Sequence, residues 1–479
     1  MATANLIENR TFDEIAVGDT ASLTRTLTAD DIQLFAAVSG DVNPAHLDPV
    51  YAETDMFHRV IAHGMWGAGL ISAILGTELP GPGAIYLGQS LRFTRPVGVG
   101  DTITACVTVA QKRAEHHVIV LDCACVNQKG ETVISGQAEV KAPTEKVSRP
   151  RMPLPDVRIA SHDRFRQLME RAKDGSACVT AVVHPCSADA MRAVAEAADA
   201  GIVVPILIGP AARMTNAAKD AGVDIAAFRV IGVPHSHAAA AEAVARVRAG
   251  EAALLMKGSL HTDELMGAVV SSDMGLRTER RISHAYVMDV PGYPRPLIIT
   301  DAAINIEPTL EDKADIARNA IDLAHVIGIE QPRVAILAAV ETVNPRMRTT
   351  LDAAALCKMA DRGQIEGALL DGPLALDNAI SEAAVRDKSI VSPVAGRADI
   401  LLVPNLEAGN MLAKQLTFLG GADAAGVVLG GRVPIILTSR ADSVRTRLAS
   451  CALAVLLTNP SSASQIRASE APAVMGSKA

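Results

Sequence analysis

The stretch HGMWGAGLISAILG, residues 63–76, decides the fold of the N-terminal part of this chain. It holds no proline, and its apolar residues fall on every side rather than along one stripe, so it reads as a helix buried all round. The chain around it has to supply the wrapping. After Gly83, the segments AIYLGQSLRFTRPV (84–97), DTITACVTVAQKR (101–113), HHVIVLDCACVNQKG (116–130) and ETVISGQAEVKA (131–142) read as strands. Thr/Val alternation around residue 104 has the period of a half-buried strand, and NQKG is a hairpin turn. Upstream, TADDIQLFAAVSG (28–40) is a second helix, with Thr28 as cap, Asp31 in a variant capping box and Gly40 as terminator. Residues 1–142 are therefore expected to form an α+β domain in which an antiparallel sheet wraps one helix.

That arrangement is the hotdog fold, and it stops at a linker. Over residues 141–157, KAPTEKVSRPRMPLPDV places prolines at 143, 150, 153 and 155 with no apolar period. Such density removes backbone donors and excludes both a continuing helix and a central strand, so 143–157 reads as linker. From Ser176 the rhythm changes. ACVTAVV, VVPILIG, FRVIGV, AALLMKG, PLIITDA, RVAILAA, GALLDG, DILLVP and VPIILTS alternate with Ala-rich helical stretches such as SADAMRAVAEAADA (187–200). Alternation of this kind means a mostly parallel sheet covered on both faces, an α/β domain over 158–479.

The whole-chain quantities agree with more than one domain, because single cores stop growing at roughly 250 to 300 residues and this chain has 479. Aromatics are only 3%, so Ala, Val, Ile and Leu must fill the cores. The net charge of -8 argues against general nucleic-acid binding, which rewards excess Lys and Arg. No apolar run reaches the roughly 18 residues of a membrane span, and the polar, acidic start does not read as a signal peptide. Seven cysteines without a C-x-x-C pair or zinc-ligand spacing read as reduced thiols of a cytoplasmic protein. No metal site is expected, and Cys178 and Cys186, flanking a strand, read as core. No G-x-G-x-x-G follows a strand, which sets aside a nicotinamide-dependent dehydrogenase.

Within FAAVSGDVNPAHLDP (35–49), Gly40 and Pro44 force the backbone out of helical geometry, so Asp41 and His46 can face one cavity. A carboxylate beside an imidazole can both take a proton from water and return one to carbon near neutral pH. Charge that develops on a carbonyl oxygen needs donors, and the bare N–H groups where the 63–76 helix opens are suitable ones. Gly64 lets a substrate carbonyl approach that backbone closely. An Asp/Asn/Pro/His loop also fits plain turn chemistry. His58 and His63 read as structural or exposed.

SGDVNPAHLDP (39–49), followed by residues 60–103, resembles the (R)-specific enoyl-CoA hydratases of the MaoC-like dehydratase family. The similarity runs from about residue 12 to residue 140, with the motif residues in order. Hotdog thioesterases lack the G-D-x-N-P-x-H segment. The resemblance implies hydration of a trans-2-enoyl-CoA to an (R)-3-hydroxyacyl-CoA, with Asp41 and His46 activating water, Gly64 giving the oxyanion N–H and Asn43 shaping the loop.

ITDAAINIEPTLEDKADIARNAI (299–321), AVETVNPRM (339–347), LDGPLALDNAIS (370–381), PNLEAGNMLAKQL (404–416) and VPIILTSRADS (433–443) resemble the phosphate acetyl/butyryltransferases, the butyryl type more closely. This implies two subdomains with the site between them, and acyl exchange between CoA and phosphate. Ser439 and Arg440 match the family's Ser-Arg pair, where Arg can hold phosphate in bidentate fashion. The acetyl type has an aspartate base seven residues after the serine, whereas this chain has Thr446. Asp442, three residues after Ser439, is a substitute if a helix starts there. Lys257 in LLMKGSLHTDE (254–264), between a strand and a helix, is a phosphate candidate, and Arg277 stands with Arg280 and Arg281 in GLRTERRISH (275–284). A solvated basic loop is the simpler reading of the arginines, and a plain lysine at a strand end fits Lys257 equally well.

Together these readings describe a bifunctional acyl-CoA enzyme, a lyase fused to an acyltransferase. Its partners are acyl-CoA, CoA, phosphate or acyl phosphate, and it has no separate cofactor. Both resemblances imply a homo-oligomer. The alternative is a hydratase whose C-terminal half is a non-catalytic CoA-binding or assembly scaffold, as the absent aspartate at 446 suggests.

Overall fold

A computed structural model describes residues 6–155, 157, 159, 163–437 and 442–458. The chain divides into two compact units, Met1–Ile159 and Ala160–Ala479.

The N-terminal unit contains β1 (Leu6–Glu8), β2 (Thr20–Thr26), β3 (Ile85–Phe93), β4 (Thr102–Arg113), β5 (Val118–Asn127), β6 (Thr132–Lys141) and β7 (Ser148–Pro150). Five of them form one antiparallel sheet in the order β2-β4-β5-β6-β3, the hotdog arrangement, with Asn127 to Gly130 closing the β5–β6 hairpin. The helix Gly64–Thr77 packs on this sheet, where Ile71, Ile74 and Leu75 join Ile103, Val107, Leu121 and Ile134 in the core. Gly67 is what lets the helix sit so close: a Cβ there would lie 2.5 Å from Ile134 Cδ1. The helix Ala29–Ser39 carries the expected ends, with a full Thr28/Asp31 capping box and a left-handed Gly40.

Two expectations change here. The Gly64–Thr77 helix is not buried all round, because Gly64, Met65, Gly69, Ser72 and Gly76 are exposed along one stripe. Four of these five are glycine or serine, which present little apolar surface, so leaving that side uncovered is inexpensive. The proline-rich segment is also not wholly a linker. Its β7 pairs antiparallel with β1, a two-stranded ribbon in which Pro150 sits at the strand end, where a missing N–H matters least.

The C-terminal unit holds β8 (Cys178–Val183), β9 (Val203–Gly209), β10 (Arg229–Gly232), β11 (Leu254–Lys257), β12 (Ser283–Asp289), β13 (Leu297–Thr300), β14 (Arg333–Leu337), β15 (Leu369–Leu374), β16 (Ile400–Leu402), β17 (Asp423–Leu429) and β18 (Ile435–Ile436). All eleven join one sheet, ordered β10-β9-β8-β11-β18-β17-β12-β13-β16-β14-β15. Most pairs are parallel, and the exceptions involve β12 and β17, which run antiparallel to each other and to β13 and β18. Sequence alternation missed these two strands. SHAYVMD follows the arginine-rich loop, and DAAGVVL begins with small residues that resemble a helix end.

Because β9 and β10 lie on one side of β8 and β11 on the other, the strand order reverses between β8 and β11. In open α/β sheets, ligands enter at the carboxyl ends of strands at such a point. Buried polar groups punctuate this core. Lys313 Nζ meets Asp352 Oδ2 at 2.7 Å between helices Leu310–Val326 and Arg348–Asp361. His284 of β12 is enclosed completely, and burial pushes its imidazole down to about 4. Among the described residues, no helix is long and apolar enough to cross a membrane.

Candidate active sites

In the N-terminal unit, the loop after the Ala29–Ser39 helix is built by short-range side-chain bonds. Asp41 N–H donates to Ser39 Oγ at 3.2 Å, and Asn43 N–H donates to Asp41 Oδ1 at 3.2 Å. Asn43 Oδ1 in turn accepts from Ala45 N at 3.1 Å, capping the Pro44–Leu47 turn that carries His46. Asn43 thus shapes the loop on both sides.

The result is convergence. A carboxylate oxygen of Asp41 and one ring nitrogen each of His46 and His63 lie within 4.8 Å of one another. His46 Nδ1 is 2.9 Å from the Ile61 carbonyl oxygen. A carbonyl only accepts, so Nδ1 carries the hydrogen, and in the neutral ring Nε2 keeps the lone pair.

His63 is the residue that sequence reading passed over. It is 3% exposed, its Nε2 lies 3.0 Å from the Asp41 main-chain oxygen, and its ring stacks on His46. The available signal was its place immediately before Gly64, at the mouth of the helix. His58, by contrast, is exposed and bonds the Glu53 carbonyl at 3.1 Å.

A cavity of about 480 Å³ opens beside this cluster, lined by His46, His63, Gly64, Trp66, Phe93 and Ile134 among others. Gly64 is the first residue of its helix, so its N–H has no intrahelical acceptor. A Cβ at 64 would lie 2.9 Å from the Phe93 ring. The cavity wall therefore combines a lone-pair imidazole, a bare amide and an apolar slot. Asp41 itself is exposed and does not line the cavity; its carboxylate reaches the cluster through the two histidines.

The C-terminal candidates are more dispersed. Lys257 ends β11, and the helix Thr262–Val269 begins five residues later, at the strand-order reversal. Gly258 packs against the end of β8, where a Cβ would meet Val183 O at 2.4 Å. Of the three arginines, Arg280 pairs with Asp322, and Arg281 bonds Asn305 Oδ1 at 2.7 Å. Arg277 is exposed and forms a backbone bridge with Gly431.

Ser439 and Arg440 lie outside the described residues. The idea that Asp442 shares a helix with them does not hold: the helix Val444–Thr458 starts later, and Asp442 precedes it. Ser443 decides that start, since its Oγ accepts the Thr446 N–H at 3.1 Å and so acts as the cap. Thr446 occupies the first turn, with its hydroxyl bonded to Ser443 Oγ. Cys178 begins β8 and Cys186 follows it; both are partly buried free thiols.

Two family models match the chain: phosphate acetyl/butyryl transferase over residues 235–455, and a MaoC-like domain over residues 16–124. A phosphate acetyltransferase of Rhizobium meliloti is 59% identical over 309 residues, covering 64% of this chain and 98% of the relative. A phosphate butyryltransferase of Clostridium acetobutylicum is 41% identical over 293 residues, covering 61% of this chain and 97% of the relative. The closer likeness to the butyryl type read from the motifs is thereby corrected toward the acetyl type. The solved structure of an unliganded R-hydratase from Pseudomonas aeruginosa is 46% identical, with a TM-score of 0.32, covering 33% of this chain and all of that one.

Proposed function

The chain belongs to the phosphate acetyl/butyryl transferase family in its C-terminal unit and to the MaoC-like family in its N-terminal unit, and on that premise we propose a two-site acyl-CoA enzyme. One site hydrates a trans-2-enoyl-CoA to an (R)-3-hydroxyacyl-CoA. The other exchanges acyl groups between CoA and phosphate.

The observation that carries the hydration reading is that His46 and Gly64 line one cavity, with an Asp41 carboxylate oxygen within 4.8 Å of a His46 ring nitrogen. His46 Nε2 takes a proton from a water that Asp41 holds, and the water oxygen bonds to the β carbon. The displaced electron pair reaches the thioester oxygen, which the Gly64 N–H stabilises. The Asp41/His46 pair then returns a proton to the α carbon. In the C-terminal unit, Arg440 and Lys257 hold the phosphoryl group and Ser439 bonds the acyl carbonyl or the thiol.

Both reactions use only thioesters, water and phosphate, so no further cofactor enters. Seven free thiols suit a cytoplasmic compartment, and the chain acts as a homo-oligomer. A second reading, with the C-terminal unit as a CoA-binding scaffold, draws on Thr446, whose hydroxyl is engaged by Ser443.

The test uses purified full-length protein. With acetyl-CoA and phosphate, the transferase reading expects free CoA thiol, lost in Arg440→Ala; CoA retained without thiol release supports the scaffold. With crotonyl-CoA, the hydratase reading expects (R)-3-hydroxybutyryl-CoA, and no product, or the S isomer, overturns it.

A further inference from the structure

We propose that Asp41, His46 and His63 also form a binding site for a borderline-soft divalent cation of the zinc type, taken up where hydration places its water. The three donors already lie within 4.8 Å of one another, two imidazoles and one carboxylate. That set favours Zn²⁺ and its neighbours over Mg²⁺ or Ca²⁺, which demand oxygen ligands throughout.

The second shell has the form a metal site needs. Metal-binding histidines characteristically give their other ring N–H to a carbonyl or carboxylate, which locks the tautomer. His46 does so to Ile61 O through Nδ1, and His63 to Asp41 O through Nε2. Each is thereby left with a bare lone pair, on His46 Nε2 and His63 Nδ1. The His63 Nδ1 is buried with no hydrogen-bond partner, and a buried acceptor without a donor is rare in folded proteins. A cation that reaches this nitrogen from the Asp41 and His46 side satisfies it. Asp41 is oriented by the Asn43 N–H at 3.2 Å, a support for the third ligand.

Occupation excludes hydration, since the His46 lone pair cannot bind a metal and accept a proton together. Only this consequence rests on the hydration reading; binding itself does not.

The experiment strips the full chain with chelator and titrates it with Co²⁺, then with Zn²⁺. The expected result is a visible Co²⁺ absorption of nitrogen and oxygen ligation, without a thiolate charge-transfer band, displaced by Zn²⁺. Asp41→Asn, His46→Gln and His63→Gln each weaken binding by about tenfold or more. If His63→Gln does not fold, Asp41→Asn decides, because Asp41 is exposed. Saturating Zn²⁺ stops crotonyl-CoA hydration, and chelator restores it. A missing Co²⁺ spectrum, one unchanged in the variants, or full hydration at saturating Zn²⁺ overturns the proposal. Wild-type protein that binds Co²⁺ through these residues yet hydrates nothing overturns the hydration reading instead.

Discussion

The His46 and His63 rings stack with centroids 3.9 Å apart and planes inclined by 37°. Phe35 also packs against His63, with ring centroids 4.9 Å apart. With Ile61 O holding Nδ1, His46 is pinned on its face and at one nitrogen, so its free Nε2 points in one direction. An imidazole held this way has little side-chain freedom left to lose, the condition under which a positioned acid–base group is most effective.

Asp41→Asn and His46→Gln should each lower crotonyl-CoA hydration by about 10² to 10⁴-fold, the range of positioned acid–base groups. Neither side chain is buried, so the thermal midpoint of Asp41→Asn should match wild type. A loss of only a few-fold in both, measured by the fall in enoyl absorbance, rules out their assigned roles.

Gly64→Ala should cut hydration at least as much as it perturbs folding. The new methyl meets the Phe93 ring at 2.9 Å, and that ring, about half exposed, can swing away. Under the proposed hydration, the methyl then stands where the substrate carbonyl would approach the amide. Unchanged kcat/KM with wild-type stability contradicts an oxyanion role for this amide.

Lys313→Met should destabilise the C-terminal unit by up to about 3 to 5 kcal/mol, because it leaves the nearly buried Asp352 carboxylate with only the exposed Arg348, 3.8 Å away, as a cationic partner. The double change Lys313→Met with Asp352→Leu should recover most of that loss. Urea unfolding of the two variants checks the order; equal losses would mean that the pair is held by packing alone.

His284 makes stability depend on pH. Its folded value of about 4 lies below the unfolded value near 6.5, so between them the unfolded chain binds more protons. Stability is then complete above about pH 6.5 and declines as pH falls toward 4, by about 3 kcal/mol in all. His184, lowered by burial and then by Arg213, slopes the same way. Denaturant melts of His284→Leu should show a shallower fall across that window; an identical slope refutes the attribution.

Local signals were legible because neighbours in sequence generate them. The Thr28/Asp31 box, the Gly40 end, the Asn127–Gly130 turn and the Asp41-to-His46 loop all close within a few residues. Signals that depend on distant partners were not. Antiparallel β12 and β17 are strands because each pairs with the other across more than a hundred residues, while their own composition is unremarkable for a strand. The start of the last helix turned on the Ser443 hydroxyl rather than on periodicity, which removed Asp442 from it.

The amino-acid order alone determined that two domains exist and where most of their strands lie, while Asp41, His46 and Gly64 were brought together as candidates by a family resemblance. Hydrophobic period, proline and glycine act over a few residues and need no fold to be read. Only the folded chain decided that His63 joins them, since a bond from its ring to Asp41, 22 positions away, exists only after the sheet has closed on the helix. Side chains distant in sequence acquire a shared direction from packing, and packing is a property of the whole unit.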